Sequence, residues 1–340
     1  TRGAGYWSGR VDGESVSGQG VISLPHEGNE TPVGIQLALD RLAVPLAAPG
    51  AKAGSLDPRK LPTLQLKSES FRYAQYDFGA LDFSAEPTFA GWRISALKFA
   101  RPETTLKASG LWAVNRLGKQ SSRFDVELNS DDFGRTLSEF GYTEELVGGK
   151  FGLRSSWSWP GAPGDFSLAQ LGGEATFELK DGRLPGISPG AGRLFGVFDL
   201  RSVTRILTFD FSTVFAKGLT FDKLHGKLEV EDGNAYTRGL AIQVPGADVE
   251  MRGRIGLATR DLDMEMDVTP RVSTNLAPVI GGTILGGPVV GGAIAVLGGV
   301  VRKPVDKSAR TEYTVKGSWS NPSVVTVRSP NAVSVEPEQP

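Results

Sequence analysis

The 340-residue chain carries 37 Lys and Arg residues against 38 Asp and Glu residues, a net charge of −1, and it contains no Cys. A balanced charge without a basic block argues against nucleic acid as a partner, and the absence of Cys excludes disulfides, Cys-based zinc sites and thiol nucleophiles. The two His residues, His26 and His225, have no metal-ligand partner at helical or hairpin spacing, so we expect no metal and no cofactor.

The N-terminal region, residues 1–62, is predicted to be a β segment that ends in a connection rich in Pro, Gly and Ala, "AAPGAKAGSLDPRKLP" at 47–62. We interpret this connection as a long loop between parts of one sheet rather than a linker between domains. The chain begins at Thr1 without Met and without an apolar leader. We therefore expect a fragment or a processed product that lacks its targeting element.

Residues 63–275 are dominated by segments that alternate apolar and polar residues. The alternation is clearest in "FDVELNS" at 124–130, "ATFELKDG" at 175–182, "KLEVEDGNAY" at 227–236 and "DLDMEMDV" at 261–268. Period two is typical of a strand with one apolar and one wet face. Asp-Gly pairs at 12–13, 181–182 and 232–233 are typical of hairpin turns. These patterns predict a mainly β protein built as an antiparallel meander.

Two short helices are predicted, near 132–146 and near 192–207. In "SDDFGRTLSEFG" at 130–141, Ser130 or Asp131 suits the N-cap and Gly141 suits the stop. The second helix rests on apolar residues spaced by three and four between Leu194 and Leu207. So little helix leaves the apolar strand faces uncovered, so that either a second sheet or an apolar ligand has to cover them. The pattern alone favours the second sheet, as in a β-sandwich.

The segment "APVIGGTILGGPVVGGAIAVLGGVV" at 277–301 contains no charged residue, but its Gly pairs and Pro288 make it a poor membrane-spanning helix. We predict a broken or kinked helical element over 276–303. Its candidate membrane-contact residues are Ile280, Ile284, Val290, Ile294, Val296 and Leu297. A buried core helix is an equal alternative. A final strand over 304–328 and a disordered tail over 329–340 complete the prediction.

The motifs searched for give no catalytic constellation. The Gly-x-Ser-x-Gly pattern is absent, and the acidic pairs at 131–132 and 144–145 suit helix N termini better than general acid and base catalysis. Trp157 and Trp159 are predicted to share one strand face, where packing at the end of the sheet is favoured over a carbohydrate-stacking platform. We therefore expect a protein that is not an enzyme.

From about Phe124 onward the chain resembles the C-terminal part of the AsmA-like envelope proteins of the YhdP type. The stretches that carry the resemblance include "SDDFGRTLSEFGY", "GGKFGLRSSWSWPGAPGDFSLAQLGGEATFELKDGRL", "PGAGRLFGVFDL" and "YTVKGSWSNPSV". A further long stretch begins at "LTFDFSTVFAKGLTFDKLHGKLEVEDGNAY" and ends at "DLDMEMDVTP". The first 120 residues share only the strand pattern.

The resemblance implies a bridge-like lipid-transfer function. Such proteins are anchored in the inner membrane, extend through the periplasm as a long curved antiparallel sheet, and are thought to carry phospholipid acyl chains in an apolar groove toward the outer membrane. The expected partners are thus phospholipids and a membrane surface. A structural or adhesive β-sandwich domain of an envelope protein is the alternative.

On this basis the strands over about 63–130 and 150–270 are predicted to form one continuous, strongly twisted antiparallel sheet with an open apolar concavity. The candidate lipid-binding residues are the apolar members of the alternating segments: Phe124, Val126, Leu128, Phe177, Leu179, Leu228, Val230, Leu240, Ile242, Val244, Ile255, Leu257, Met264, Met266 and Val268. Replacement of Leu179 or Met266 by Asp is predicted to block lipid occupancy.

Overall fold

The computed structural model describes residues 2–3, 5–24, 33–46, 56–142, 144–184, 219–245, 247–271, 310–319 and 321–328. The predicted helix near 192–207, the apolar element at 276–303 with its six membrane-contact residues, and the tail at 329–340 lie outside the described residues. The connection at 47–62 is described only from residue 56 onward.

The described residues confirm a mainly β fold, with seventeen strands in a hydrogen-bonded sheet. The strands of the N-terminal half are β1 (Arg2–Gly3), β2 (Tyr6–Asp12), β3 (Val16–Ser23), β4 (Gly34–Val44), β5 (Thr63–Tyr73), β6 (Tyr76–Thr88), β7 (Gly91–Ala100), β8 (Thr104–Val114) and β9 (Gln120–Ser130). The remaining strands are β10 (Val147–Pro160), β11 (Gly172–Leu184), β12 (Leu219–Glu231), β13 (Asn234–Val244), β14 (Ala247–Gly256), β15 (Asp261–Pro270), β16 (Thr311–Ser318) and β17 (Asn321–Arg328). One α-helix, α1 (Phe133–Glu139), and 3₁₀ turns at Pro58–Lys60, Pro163–Asp165 and Leu168–Gln170 complete the described elements.

The pairs from β1 to β10 and from β13 to β17 are antiparallel except for β4 and β5, which are parallel, with Gly34 opposite Thr63 and Val44 opposite Tyr73. Parallel neighbours need a connection that returns to the starting end of the sheet, and the segment 45–62 provides it. This pair departs from the predicted purely antiparallel sheet. The alternation of apolar and polar residues indicates which face of the sheet a residue occupies. It does not indicate whether neighbouring strands are parallel or antiparallel.

The chain divides into two compact units. Unit 1 comprises Thr1–Phe140, Phe151–Phe177 and Glu229–Gly233, and unit 2 comprises Gly141–Lys150, Glu178–Leu228 and Asn234–Pro340.

In unit 1, residues opposite each other on β4 to β10 form three rows on one face, here called the apolar face. The first row is Ile35, Leu64, Ala85, Ile94, Gly110, Phe124 and Trp157. The second is Leu37, Leu66, Phe83, Leu97, Ala108, Val126 and Ser155, and the third is Leu39, Ser68, Leu81, Phe99, Leu106, Leu128 and Leu153. Because opposed residues on paired strands project to the same side, the rows make a nearly continuous apolar strip.

β-Bulges keep this strip in phase where the sequence alternation slips. The register shifts between Ser84 and Ala85 on β6 and between Ile94 and Leu97 on β7. A bulge inserts one extra residue into a strand, so that Ile94 and Leu97, three positions apart, both reach apolar partners on the neighbouring strands.

In unit 2, the apolar residues of β13 to β16 also share one face, but here they are buried. Leu240 lies opposite Met251, Met251 opposite Met266, and Met266 opposite Tyr313. A neighbouring row joins Met264 to Val315. Met264, which is 1% exposed, is among the most completely buried side chains described. Although the sequence pattern of β15 resembles that of β9, its apolar side chains lie in a packed core.

Arg side chains form ion pairs with acidic residues of β15 in unit 2. Asp261 accepts hydrogen bonds from Arg254 and Thr259, which lower the pKa of its carboxyl to about 2. The buried carboxylate of Asp267 is paired with Arg252 and Arg310. Glu265 pairs with Arg252 and Asp263 with Lys316, so that each of the four acidic residues in "DLDMEMDV" has a basic partner.

Two predicted bounds need correction. The N-cap of α1 is Asp132 and not Ser130 or Asp131, the two predicted candidates. The Asp132 side chain accepts a hydrogen bond from the Arg135 backbone N–H at 3.0 Å. Gly141 is confirmed as the stop, since it directly follows the C-cap with φ +70°. The prediction of helix as far as 146 is wrong, because α1 ends at Glu139. Two strands, β16 and β17, form a hairpin within the predicted final strand at 304–328, with Ser318 opposite Asn321, and residues 304–309 lie outside the described residues.

Candidate functional site

The middle of the apolar face in unit 1 is half-buried rather than closed. Leu37, Leu66, Phe83, Leu97 and Val126, all in the second row, have intermediate exposure. All the strands described for unit 1 belong to one hydrogen-bonded sheet. A separate second sheet, as in a sandwich, is therefore absent from the part of unit 1 that the structure describes.

One end of the apolar face, here called the tryptophan end, is a row of indoles. Trp92 lies opposite Trp112, and both Trp112 and Trp159 lie opposite Ser122. The three indole N–H groups donate to the Pro62 carbonyl at 2.9 Å, the Gln120 side chain at 2.9 Å and the Ala162 carbonyl at 3.0 Å, respectively. Because each N–H is satisfied, the rings are fixed with their apolar bodies on the sheet.

Trp159 confirms the favoured packing role predicted from the sequence. Its ring stacks on Phe124 with 5.5 Å between centroids and meets Phe166 edge-on at 5.3 Å. Trp157 lies opposite Phe124 and so shares this face, as predicted. With its ring engaged by two neighbours, Trp159 does not present a free platform for a sugar.

The other end of the apolar face, the helix end, is closed by α1. Phe133 stacks on Phe151 with 4.0 Å between centroids. Thr136 shares hydroxyl hydrogen bonds with Thr104 and Ser130 on the strands below.

An aromatic cluster extends the closure at the helix end. Phe140, at the C-cap of α1, packs against Tyr76 at 5.7 Å and against Phe78 at 5.1 Å. Phe78 in turn lies 5.1 Å from Phe99 of the third row. The half-buried rows therefore lie between two aromatic boundaries.

The opposite face of the same strands is charged. Lys67, Asp82, Lys98, Lys107, Glu127 and Arg154 form a cross-strand row, in which Lys67–Asp82 and Glu127–Arg154 are 3.8 Å ion pairs. A shallow hollow of about 530 Å³ is lined by charged members of this row and also by Leu97 and Val126 of the second row.

The structure divides the fifteen sequence-predicted lipid-binding residues by burial. Phe124, Val126 and Leu128 lie half-buried on the apolar face of unit 1, and Phe177, Leu228, Ile242, Val244 and Leu257 are half-buried elsewhere. Leu179, Val230, Leu240, Ile255, Met264, Met266 and Val268 are buried. Leu257 lies in the turn after β14 rather than on a strand.

Sequence reasoning missed most of the apolar face. Leu37, Leu66, Phe83 and Leu97 belong to its second row, yet none was selected from the sequence. Apolar residues recur at mixed spacing between 64 and 112. The lipid-binding candidates were selected by strict apolar–polar alternation, and the bulges interrupt that alternation here.

Among the described residues, no group of three or more His, Asp or Glu side chains is arranged to hold a metal ion. Among them we also find no apolar helix of the length that a membrane span requires.

Comparison with known proteins identifies related sequences. A family model described as "YhdP protein" matches residues 2–324. The intermembrane phospholipid transporter YhdP of Escherichia coli (strain K12) is 27% identical over 220 residues, which covers 64% of this chain and 17% of that protein. The chain thus spans less than a fifth of the length of that relative. No solved structure matches the chain.

Proposed function

The chain belongs to the YhdP family, and from this premise we propose that unit 1 is a segment of a lipid conduit whose apolar face shields phospholipid acyl chains. The observation that carries the proposal is the half-buried second row, from Leu37 to Val126, in a unit whose described strands all belong to one sheet. An apolar strip of this kind needs an apolar partner.

The dimensions of the strip suit acyl chains. Six strand spacings of about 4.8 Å give a length of roughly 29 Å across β4 to β10, and three rows span roughly 13 Å along the strands. An acyl chain that fills half of a bilayer core is about 15 Å long. The strip is therefore long enough for acyl chains to move along it, and each CH₂ removed from water contributes about 0.8 kcal/mol.

The chemistry of the strip supports conduction rather than tight selection. Its central residues are aliphatic or aromatic, and the charged row lies on the opposite face of the sheet. Acyl chains could thus move from row to row without breaking a hydrogen bond, while the headgroups stay in water. No step of this process requires catalysis, and we assign the protein no enzymatic activity.

The setting of the conduit is part of the proposal. A periplasmic position between inner and outer membranes, with an inner-membrane anchor elsewhere in the whole protein, agrees with the relative's description as an intermembrane phospholipid transporter. Lipid contact by the buried residues of unit 2, such as Met264 and Met266, would require that core to open. We therefore assign the acyl path first to unit 1.

Native mass spectrometry of the purified chain tests the proposal. We expect co-purified phospholipids of several headgroup types, removable by detergent and restored by incubation with vesicles, because the strip contacts only acyl chains. Failure to detect lipid before or after such incubation would favour the alternative, a structural or adhesive domain.

A further inference from the structure

The two most exposed large apolar side chains described in unit 1, Phe89 and Leu117, lie in turns at the tryptophan end. Phe89 is 96% exposed and Leu117 is 83% exposed, and Leu56 and Phe166 are each about half exposed. These four residues are here called the apolar rim. Exposed apolar side chains on successive turns are a common mark of a binding surface.

The topology brings the rim residues to one end of the sheet. Phe89 lies in the β6–β7 turn, Leu117 in the β8–β9 turn and Phe166 in the connection from β10 to β11. Each of these turns is two strands from the next, or roughly 10 Å at the strand spacing of a sheet. Leu56 joins them because its carbonyl accepts a hydrogen bond from Gln120 at 2.8 Å, at the start of β9.

The turns hold these side chains outward by backbone geometry. The Asn115 side chain accepts from the backbone N–H groups of Leu117 and Lys119 at 2.9 and 3.0 Å, and Gly118 adopts φ +76°. In the β6–β7 turn, the Thr88 hydroxyl donates to the Gly91 carbonyl at 3.0 Å. Neither turn needs a Phe or a Leu at its tip, where polar residues and Gly are usual.

Three exposed cations lie around the rim, together with the exposed acidic residues Glu86 and Asp165. Lys60, Arg116 and Lys119 are exposed, and no ion pair is recorded for them within the described ranges. The nearby Asp57 is neutralised by Arg59, which donates two side-chain hydrogen bonds to it and lowers the pKa of that carboxyl to about 2. Asp165 accepts from the backbone N–H of Ala162.

The helix end has a different electrostatic character. Glu103 and Glu139 there are tied to Arg101 and Arg135 in ion pairs. The β2–β3 turn at the same end carries exposed Asp12 and Glu14. The tryptophan end combines the exposed apolar tips Phe89 and Leu117 with the exposed cations Arg116 and Lys119.

We propose that the apolar rim docks on the surface of an anionic phospholipid bilayer, with the rim side chains in the interface and the neighbouring cations on lipid phosphates. Apolar side chains and basic residues contribute jointly to interfacial binding of this kind. The proposal deepens the proposed function, because docking at this end brings the indole row and the apolar face behind it next to the acyl region of a membrane.

Single-cysteine labelling tests the insertion directly, since the chain has no Cys. Phe89→Cys and Leu117→Cys, each carrying an environment-sensitive NBD dye, are expected to show a blue-shifted, stronger emission when vesicles containing 30% phosphatidylglycerol are added. The matched control is Leu46→Cys, because Leu46 is 68% exposed and follows β4 at the helix end. Equal shifts at all three positions, or no shift at the rim, would overturn the proposal.

Vesicle sedimentation separates the two contributions. Phe89→Ser combined with Leu117→Ser should weaken partitioning of the full chain by at least about tenfold, because burial of one large apolar side chain changes a partition coefficient by roughly that factor. Arg116→Gln and Lys119→Gln should each lower the preference for anionic over zwitterionic vesicles by roughly fivefold. Parental binding by these variants would place membrane contact elsewhere and overturn the rim assignment.

Measurement of the lipid bound to the same variants separates the test of membrane docking from the test of the lipid conduit. The rim substitutions lie outside the apolar rows, so lipid pre-bound to the chain should remain at the parental level. Loss of vesicle binding with retained lipid supports the rim. Loss of bound lipid together with vesicle binding would show that the substitutions act through the sheet, and would overturn a docking role.

Discussion

Replacement of Val126 by Asp is expected to remove bound phospholipid while the sheet stays folded. Val126 is half-buried in the second row and lies opposite Ala108 and Ser155, two small residues that leave room for a carboxylate. The charge would stand on the acyl path, where an unpaired carboxylate costs several kcal/mol against apolar chains. Native mass spectrometry should show at least a tenfold loss of lipid, equivalent to about 1.4 kcal/mol.

The control for this variant is Ser121→Asp. Ser121 is exposed on the same strand, five residues before Val126. Because side chains alternate between the two faces along a strand, Ser121 projects from the opposite face. It should keep the parental lipid content and thermal midpoint. Parental lipid content in folded Val126→Asp would remove this residue, and with it the second row, from the acyl path.

The structure also changes how Leu179→Asp and Met266→Asp should be interpreted. Both positions are buried, at 3% and 5% exposure. An Asp there would be an unpaired charge in a packed core, which destabilises the fold itself. Lipid loss in those two variants would therefore not distinguish a conduit from a core.

Met264→Ala is expected to lower the free energy of unfolding more than Leu128→Ala does. Met264 is 1% exposed in the core of unit 2, and truncation of a buried Met to Ala costs about 2–5 kcal/mol of unfolding free energy. Leu128→Ala, on the half-buried face of unit 1, should cost only about 1 kcal/mol in the lipid-free protein, because part of the side chain is already in water. Urea denaturation followed by circular dichroism measures both.

The comparison tests whether the two units differ in kind. Addition of phospholipid should raise the cost of Leu128→Ala, because the ligand then covers that side chain, and should leave the cost of Met264→Ala unchanged. Equal costs in the absence of lipid would mean that the face of unit 1 is as closed as the core of unit 2.

The sequence predicts the strands well where alternation is strict. "FDVELNS" and "DLDMEMDV" both form strands whose apolar residues share one face, and Gly141 ends α1 as expected. In these segments the local pattern and the final structure agree, because a one-residue slip would turn every apolar side chain to the wrong side.

Other features could not be obtained from the pattern. The bulge between Ile94 and Leu97 restores the phase of the strip only through its neighbours on β6 and β8. The parallel arrangement of β4 and β5 depends on the path of the connection between them. Val126 and Met264 occur in equivalent patterns, yet one is half-buried and the other is buried, because alternation identifies the apolar face and not what covers it.

Photo-crosslinking from the apolar face tests the central claim most directly. A benzophenone amino acid is placed at position 126 and, as the control, at position 121 on the opposite face. After irradiation of the lipid-loaded chain, mass spectrometry should find phospholipid adducts at position 126 and none at position 121. Crosslinks from position 126 to the chain itself, without lipid adducts, would show a closed protein core and contradict the conduit.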